Sequence, residues 1–489
     1  MEWEARYLES AGSSVAHIIQ TNDSGYLMAG TLGSHYVPNV VWLVKVDSNG
    51  KMQWNQSFSF LNNAAGLVKT WDGGYMMAGD SYTEIEGLWG VTDPQGIVLV
   101  KMDQYGNIEW NKTLTGTIDG SSYMMQTSDA GYIIIGNIDG DQVTFENTVL
   151  PTKRGFLIKT DYWGNVQWNQ TYGDREKYYS FNSVIQTSDG GYAVAGSTNF
   201  NGTIGIFQHF WLLKVDPQGN ALLTKTYGWS GTMEKVGGDA NNRDIYAPSI
   251  NQANCIMQTA DGGFVLAGDT EAYGAGADDV WLVKTDSSGN MVWNRTYGGS
   301  GITFTEETTP LGSYTVHWGS NGTGYDSVNA VIETSDGGFA FAGITPTTTL
   351  EGGGTFGMSS WLVKLDSSGN TQWNQTYPTQ TYPAVAQSYD WNANSLIETS
   401  DGGFAIAGAL VETGAVSYYF LIKTQQALPP PSPTPIPTPN PYSPSPQTVL
   451  PSDLNPIWNV LIASGIVFLV FSGIILLRKR KRQFSTTSS

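Results

Sequence analysis

Thr-Ala-Asp-Gly-Gly-Phe-Val-Leu-Ala-Gly at Thr259–Gly268, followed by Trp-Leu-Val-Lys-Thr-Asp-Ser-Ser-Gly-Asn-Met-Val-Trp-Asn at Trp281–Asn294, is the stretch that decides the fold. Its first part, T-x-D-G-G-Y/F with a short apolar run and A-G, starts seven times: at Thr21, Thr70, Thr127, Thr187, Thr259, Thr334 and Thr399. The second part returns most fully at Trp361–Asn374, with weaker copies from Trp42, Val98, Phe156, Trp211 and Phe420. Self-similarity of this kind outranks the several domains that 489 residues would otherwise suggest.

Each unit reads as four short strands. The first ends in a segment such as Ile18–Thr21, and the D-G-G turn opens the second. W-L-V-K-x-D is the third strand, and W-N-x-T lies in the fourth. Glycines in both turns permit positive φ at little steric cost. The third strand is apolar on both parities, which fits a sheet covered on both faces by neighbours. The seventh unit stops at Lys423-Thr424, before its fourth strand, and the chain opens with Trp3-Glu-Ala-Arg-Tyr7, which reads as that missing strand. These ends predict an all-β, seven-bladed β-propeller whose N-terminal strand closes the last blade, together with a C-terminal transmembrane helix.

Over residues 3–424 the repeats resemble those of archaeal and bacterial surface and secreted β-propeller proteins, on the T-x-D-G-G and W-L-V-K-x-D-x-x-G-N-x-x-W motifs. The D-x-x-G-x-x-x-W segment, as at Asp286–Trp293, is distantly similar to quinoprotein propeller repeats. It lacks the spacing of the sialidase Asp-box. Leu223 stands where the fourth unit should carry tryptophan, which is expected to weaken one outer strand.

The expected organisation is a propeller over 1–427, a proline-rich stalk over 428–456, a transmembrane helix over 457–477 and a basic tail over 478–489. The stalk, at ~3.1 Å per residue, would reach on the order of 70 Å. Ile457–Leu477 carries no charge, and ~21 residues at ~1.5 Å rise cross a bilayer core. Arg478–Arg482 follows directly, so the positive-inside rule expects a cytoplasmic C-terminus, a single-pass cell-membrane anchor and an extracellular propeller. That topology needs export, and Met1-Glu-Trp-Glu4 is no signal peptide, so the true start is expected upstream.

The net charge of −19 argues against nucleic acid as a partner. Cys255 is the only cysteine and falls on a repeat position held elsewhere by Ser183, Ala330 and Ser395, so it reads as a small packed side chain. His17, His35, His209 and His317 show no metal-ligand spacing, and Asn137–Asp141 lacks the downstream glutamate of a calcium loop. No catalytic residue, metal site or cofactor is assigned. Asn55, Asn111, Asn169, Asn294 and Asn374 lie in sequons at one repeat position, where a structural role is expected; Asn201, Asn321 and Asn22 are the N-glycosylation candidates. Gln20, Lys69, Gln126, Gln186, Gln258, Glu333 and Glu398 share one repeat position, where they are expected to solvate the strand ends.

The two turns keep a nearly constant length, whereas the connections from second to third strand and from unit to unit vary. In an up-and-down blade those variable connections share one face, which is how a scaffold presents a binding surface. The expected function is recognition or adhesion, with a polysaccharide or protein ligand on the variable-loop face. The long loops Gly228–Asn251 and Gly298–Asp326 supply the candidate ligand-binding residues Trp229, Tyr246, Trp318 and Tyr325. An extracellular enzyme, quinoprotein-like or polysaccharide-degrading, is the alternative, and it needs converging acids that Asp278, Asp279, Glu306 and Glu307 do not establish. A purely architectural coat component is the third reading.

Overall fold

The computed structural model describes residues 2–425, apart from stretches in the connections and around them: 8–12, 35–36, 85–91, 115–120, 142, 146–147, 151, 176, 200–207, 229–234, 239–243, 247–249, 272, 274–277, 299–304, 309–313, 318–324, 348–356, 378–388 and 413–415. The stalk, the apolar segment 457–477 and the basic tail lie outside the described residues. Among the described residues there is no helix.

Seven four-stranded antiparallel blades, the sixth and seventh joined by one parallel bridge between Met358 and Asp390, build the compact unit Met1–Ala427. Blade 1 comprises Ser13–Gln20, Tyr26–Ser34, Val37–Val46 and Met52–Phe58. Blade 3 comprises Ser121–Gln126, Tyr132–Asp139, Lys153–Thr160 and Val166–Tyr172, and blade 4 Tyr179–Gln186, Tyr192–Asn199, Gln208–Val215 and Ala221–Tyr227. Blades 2, 5 and 6 repeat the pattern from Asn63, Asn251 and Ser327. Blade 7 takes Tyr389–Glu398, Phe404–Glu412 and Val416–Lys423, and its fourth strand is Trp3–Tyr7. The N-terminal strand runs antiparallel to the third, with Trp3 opposite Lys423 and Tyr7 opposite Tyr419. The closure read from the sequence is therefore the closure in the fold. Blade 7 then meets blade 1 through Asn394, whose amide donates to the Val15 carbonyl at 2.7 Å.

The two recurrent turns and the third strand form one interlocked unit. In T-x-D-G-G, the threonine hydroxyl and the second glycine N–H both donate to the aspartate, as Thr259 and Gly263 do to Asp261. Where the first glycine is absent, Ser24 and Ala130 keep the left-handed backbone, at φ 60° and 66°. The lysine of W-L-V-K then reaches the same aspartate: Lys284 Nζ lies 2.9 Å from Asp261 Oδ2, and Lys364 Nζ 2.9 Å from Asp336 Oδ2. All seven blades carry this pair. Six of the seven lysine side chains are almost wholly buried, Lys214 at 16% being the more open one.

Neighbouring blades lock at the rim and near the axis. The outer-strand tryptophans Trp54, Trp110, Trp168 and Trp293 each cover a turn glycine of the next blade, so that a Cβ on Gly369 would sit 3.0 Å from the Trp293 ring. Trp3 does the same over Gly50, which identifies the N-terminal strand as a true fourth strand. Trp3 is half-buried and Tyr7 is the buried residue, its hydroxyl donating to the Gly50 carbonyl at 2.7 Å. Nearer the axis, the glutamine or glutamate ending a first strand reaches the preceding blade's turn: Ser128 N donates to Gln186, Ser188 N to Gln258, and Ser335 N to Glu398. This corrects the expectation that these side chains only solvate strand ends. Gln20, Gln186, Gln258, Glu333 and Glu398 join blade to blade in this way, an amide or carboxylate oxygen being what the exposed turn N–H requires, and Lys69 does so through the Asn22 carboxamide.

Candidate functional site

A cavity of about 570 Å³ opens between blades 3 and 4. Its walls come from the last residues of blade 3, the connection that follows, and one side of blade 4. Tyr179 and Trp211 form an aromatic corner, with ring centroids 4.7 Å apart and planes at 53°. Trp211 is fixed from behind by stacking on Phe181 at 5.0 Å. Asn199 ends the second strand of blade 4 and lines the cavity at 5% exposure; its carboxamide Oδ1 and Nδ2 find no hydrogen-bond partner among the described residues. His209 lines the same cavity and is buried. Among the described lining residues Lys177 is the one with a formal charge, paired with Asp174 at 2.9 Å, and none is a carboxylate.

A departure from the repeat makes the space. In blades 1 and 5 the outer strand carries methionine and asparagine three residues apart on one side, and the two touch, Asn55 with Met52 at 3.4 Å and Asn294 with Met291 at 3.2 Å. Blade 4 has Ala221 and Thr224 at those places, and both line the cavity. The third-strand tryptophan, which meets Asn55 in blade 1 and Asn294 in blade 5, is held in blade 4 by Thr224 Oγ1 at 2.8 Å. The sequence showed this break at Leu223, whose own side chain packs on the opposite side, toward Gly289.

The first strands of neighbouring blades meet around the axis. His17 from blade 1 and Tyr123 from blade 3 meet there with ring centroids 5.8 Å apart. Desolvation lowers the His17 pKa to about 4, partly offset by backbone hydrogen bonds at Ala65 and Ala64. Burial pushes the Cys255 thiol up, as a packed cysteine requires. Burial also raises Asp269 to about 6, with hydrogen bonds from Asn254 and Val328 opposing it. The Asn254 bond lies within blade 5, and the Val328 N–H bond crosses the seam from blade 6, the role Asn137 plays from blade 3 to Phe181 with an uncharged amide. The shifted acid at Asp269 is thus a seam contact. Among the described residues no group of three or more His, Cys, Asp or Glu is placed to hold a metal ion.

Of the residues expected to bind ligand, Tyr325 is exposed at 40% and bridges to Asp278. Trp229 and Trp318 lie outside the described residues, as do Asn201, Asn321 and His35. Tyr246 falls in the strand Asp244–Tyr246, and Glu306 and Glu307 in Thr305–Thr308, with their side chains outside the description. Asn22 is exposed and its Oδ1 accepts from Lys69 Nζ at 3.1 Å. The turn face is less uniform than its constant lengths imply. Trp71, Tyr105 and Trp163 stand 69%, 68% and 63% exposed on it, and the Tyr162 hydroxyl donates to Asp72 Oδ2 at 2.7 Å.

No family model matches this chain, and no curated protein does. Among solved structures, a protein of unknown function from Bacteroides caccae is 10% identical at a TM-score of 0.36, with 77% of this chain and 97% of that one covered. One from Dyadobacter fermentans is 11% identical at 0.41, with 74% and 98% covered. A mannose phosphorylase from Leishmania mexicana is 10% identical at 0.28, with 73% and 81% covered. The architecture is read from the strand pairing itself.

Proposed function

We propose that this chain is a surface recognition module, a propeller that presents a ligand site on its variable-loop face and is held at the cell membrane by its C-terminal segment. The observation that carries the reading is the cavity between blades 3 and 4, which opens among the variable connections and holds a buried amide without a partner among the described residues. Sites of this kind are concave, partly aromatic and furnished with a few oriented polar groups. The described residues of the cavity lining hold no pair of carboxylates for glycoside hydrolysis, which supports binding over degradation. The anchor rests on the apolar run 457–477 and the basic residues after it. The full chain, displayed on glycan and protein arrays beside a Thr226→Trp variant, tests the reading. Thr226 is exposed at the cavity wall, so the indole plugs the cavity without disturbing the core. Ligands whose signal vanishes with the plug support recognition there; an array with no plug-sensitive ligand of any class defeats it.

A further inference from the structure

We propose, resting on that reading, that the cavity between blades 3 and 4 takes one neutral pyranose unit of a polysaccharide, with Asn199 reading two adjacent hydroxyls. Asn199 offers one acceptor and two donors, and among the described residues neither end has a partner. Leaving such a group buried and unpaired costs about 1–3 kcal/mol, so a ligand that satisfies both ends at once is favoured. A carboxylate or phosphate only accepts and would leave Oδ1 unmet. An ammonium only donates and would leave Nδ2 unmet. A hydroxyl donates and accepts, and two on neighbouring carbons present both functions at the spacing of a carboxamide.

The remaining walls agree with that choice. The Tyr179–Trp211 corner gives an apolar surface for the C–H face of a sugar ring, and Trp211 is held in place by Phe181 and Thr224. Among the described residues the cavity carries no free formal charge, because Lys177 is neutralised by Asp174. An anionic sugar would have to compete with that carboxylate for the ammonium, and a cationic one finds no carboxylate in the lining.

The test uses the full chain, in a detergent without a sugar head group, titrated with the methyl pyranosides of glucose, galactose, mannose and N-acetylglucosamine. Glucuronate and glucosamine serve as charged probes, and saturation-transfer NMR with tryptophan fluorescence gives the readout. At least one neutral pyranoside is expected to bind, and Asn199→Leu should weaken it by ~10-fold or more while the melting temperature stays level or rises. A structural asparagine would behave in the opposite way, lowering the melting temperature with affinity intact, and that result overturns the proposal. Should Asn199→Leu fail to fold, Thr226→Trp must abolish the same binding. Failure of every neutral pyranoside to bind also overturns it. Plug-sensitive binding of the charged probes alone overturns the neutral class and leaves the recognition reading standing.

Discussion

At the scale of single residues, the lysine in each W-L-V-K segment explains why the motif is so constant. A buried ammonium needs a counter-charge and hydrogen bonds, and the turn aspartate supplies both. Partial burial opposes ionisation of Asp336, yet Thr334, Lys364 and the Gly338 N–H hold its pKa at about 2. Because that value lies below the ~3.9 of an unfolded aspartate, the pair contributes stability in full above about pH 4, lost as pH falls toward 2. Asp336→Ala is expected to cost about 1–3 kcal/mol at pH 7, measured by denaturant titration, with ligand affinity unchanged. The aspartate was legible as a turn residue. The lysine was not, because Asp336 and Lys364 meet only once two hairpins are folded. His17 titrates in a different window. Its folded pKa of about 4 lies below the ~6.5 of a free histidine, so stability is whole above pH 6.5 and falls as pH drops toward 4. His17→Gln should flatten that slope by about 1–3 kcal/mol relative to the parent. Parallel slopes in urea unfolding at pH 7 and pH 4.5 would show that the imidazole is not enclosed.

At the scale of elements, the N-terminal strand is five residues that complete a blade made by the other end of the chain. Without them the third strand of blade 7 becomes an open edge, Gly50 loses the Trp3 cover, and the Tyr7 bond to blade 1 disappears. Deleting residues 2–7 should lower stability by about 3 kcal/mol or more, a large share of what a domain holds. A melting temperature equal to that of the parent would mean the ring does not depend on its closure. This strand was legible because its W-x-x-x-Y spacing repeats the outer strands, as at Trp293 and Tyr297. Other elements were not. The long connections contain two-stranded ribbons, Lys235–Gly238 with Asp244–Tyr246 and Thr305–Thr308 with Tyr314–His317. Nothing periodic announces them, since each occurs once and pairs only with itself.

At the scale of the molecule, seven near-identical blades make any exception informative. The repeat made the ring legible, because most seams reuse the tryptophan over glycine and the staple from first strand to neighbouring turn. The cavity was not legible for the converse reason. It arises from side-chain volume missing at Ala221 and Thr224, seen against a wall from blade 3 that only the fold brings near. Restoring the repeat in blade 4 therefore separates stability from recognition. Ala221→Met with Thr224→Asn would rebuild the contact that Met291 makes with Asn294 and fill the outer end of the cavity. Leu223→Trp restores the repeat on the opposite side, where Trp293 covers Gly369 in the next blade, and leaves the cavity untouched. Leu223→Trp and Thr224→Asn return blade 4 to the chain's own consensus and Ala221→Met to the residue of blades 1 and 5, and such changes commonly add about 0.5–2 kcal/mol. The double variant should gain stability and lose ligand, whereas Leu223→Trp should gain stability and keep it. If the double variant instead keeps its ligand, the departure of blade 4 is a tolerated drift in the repeat, and recognition belongs to another part of the variable face.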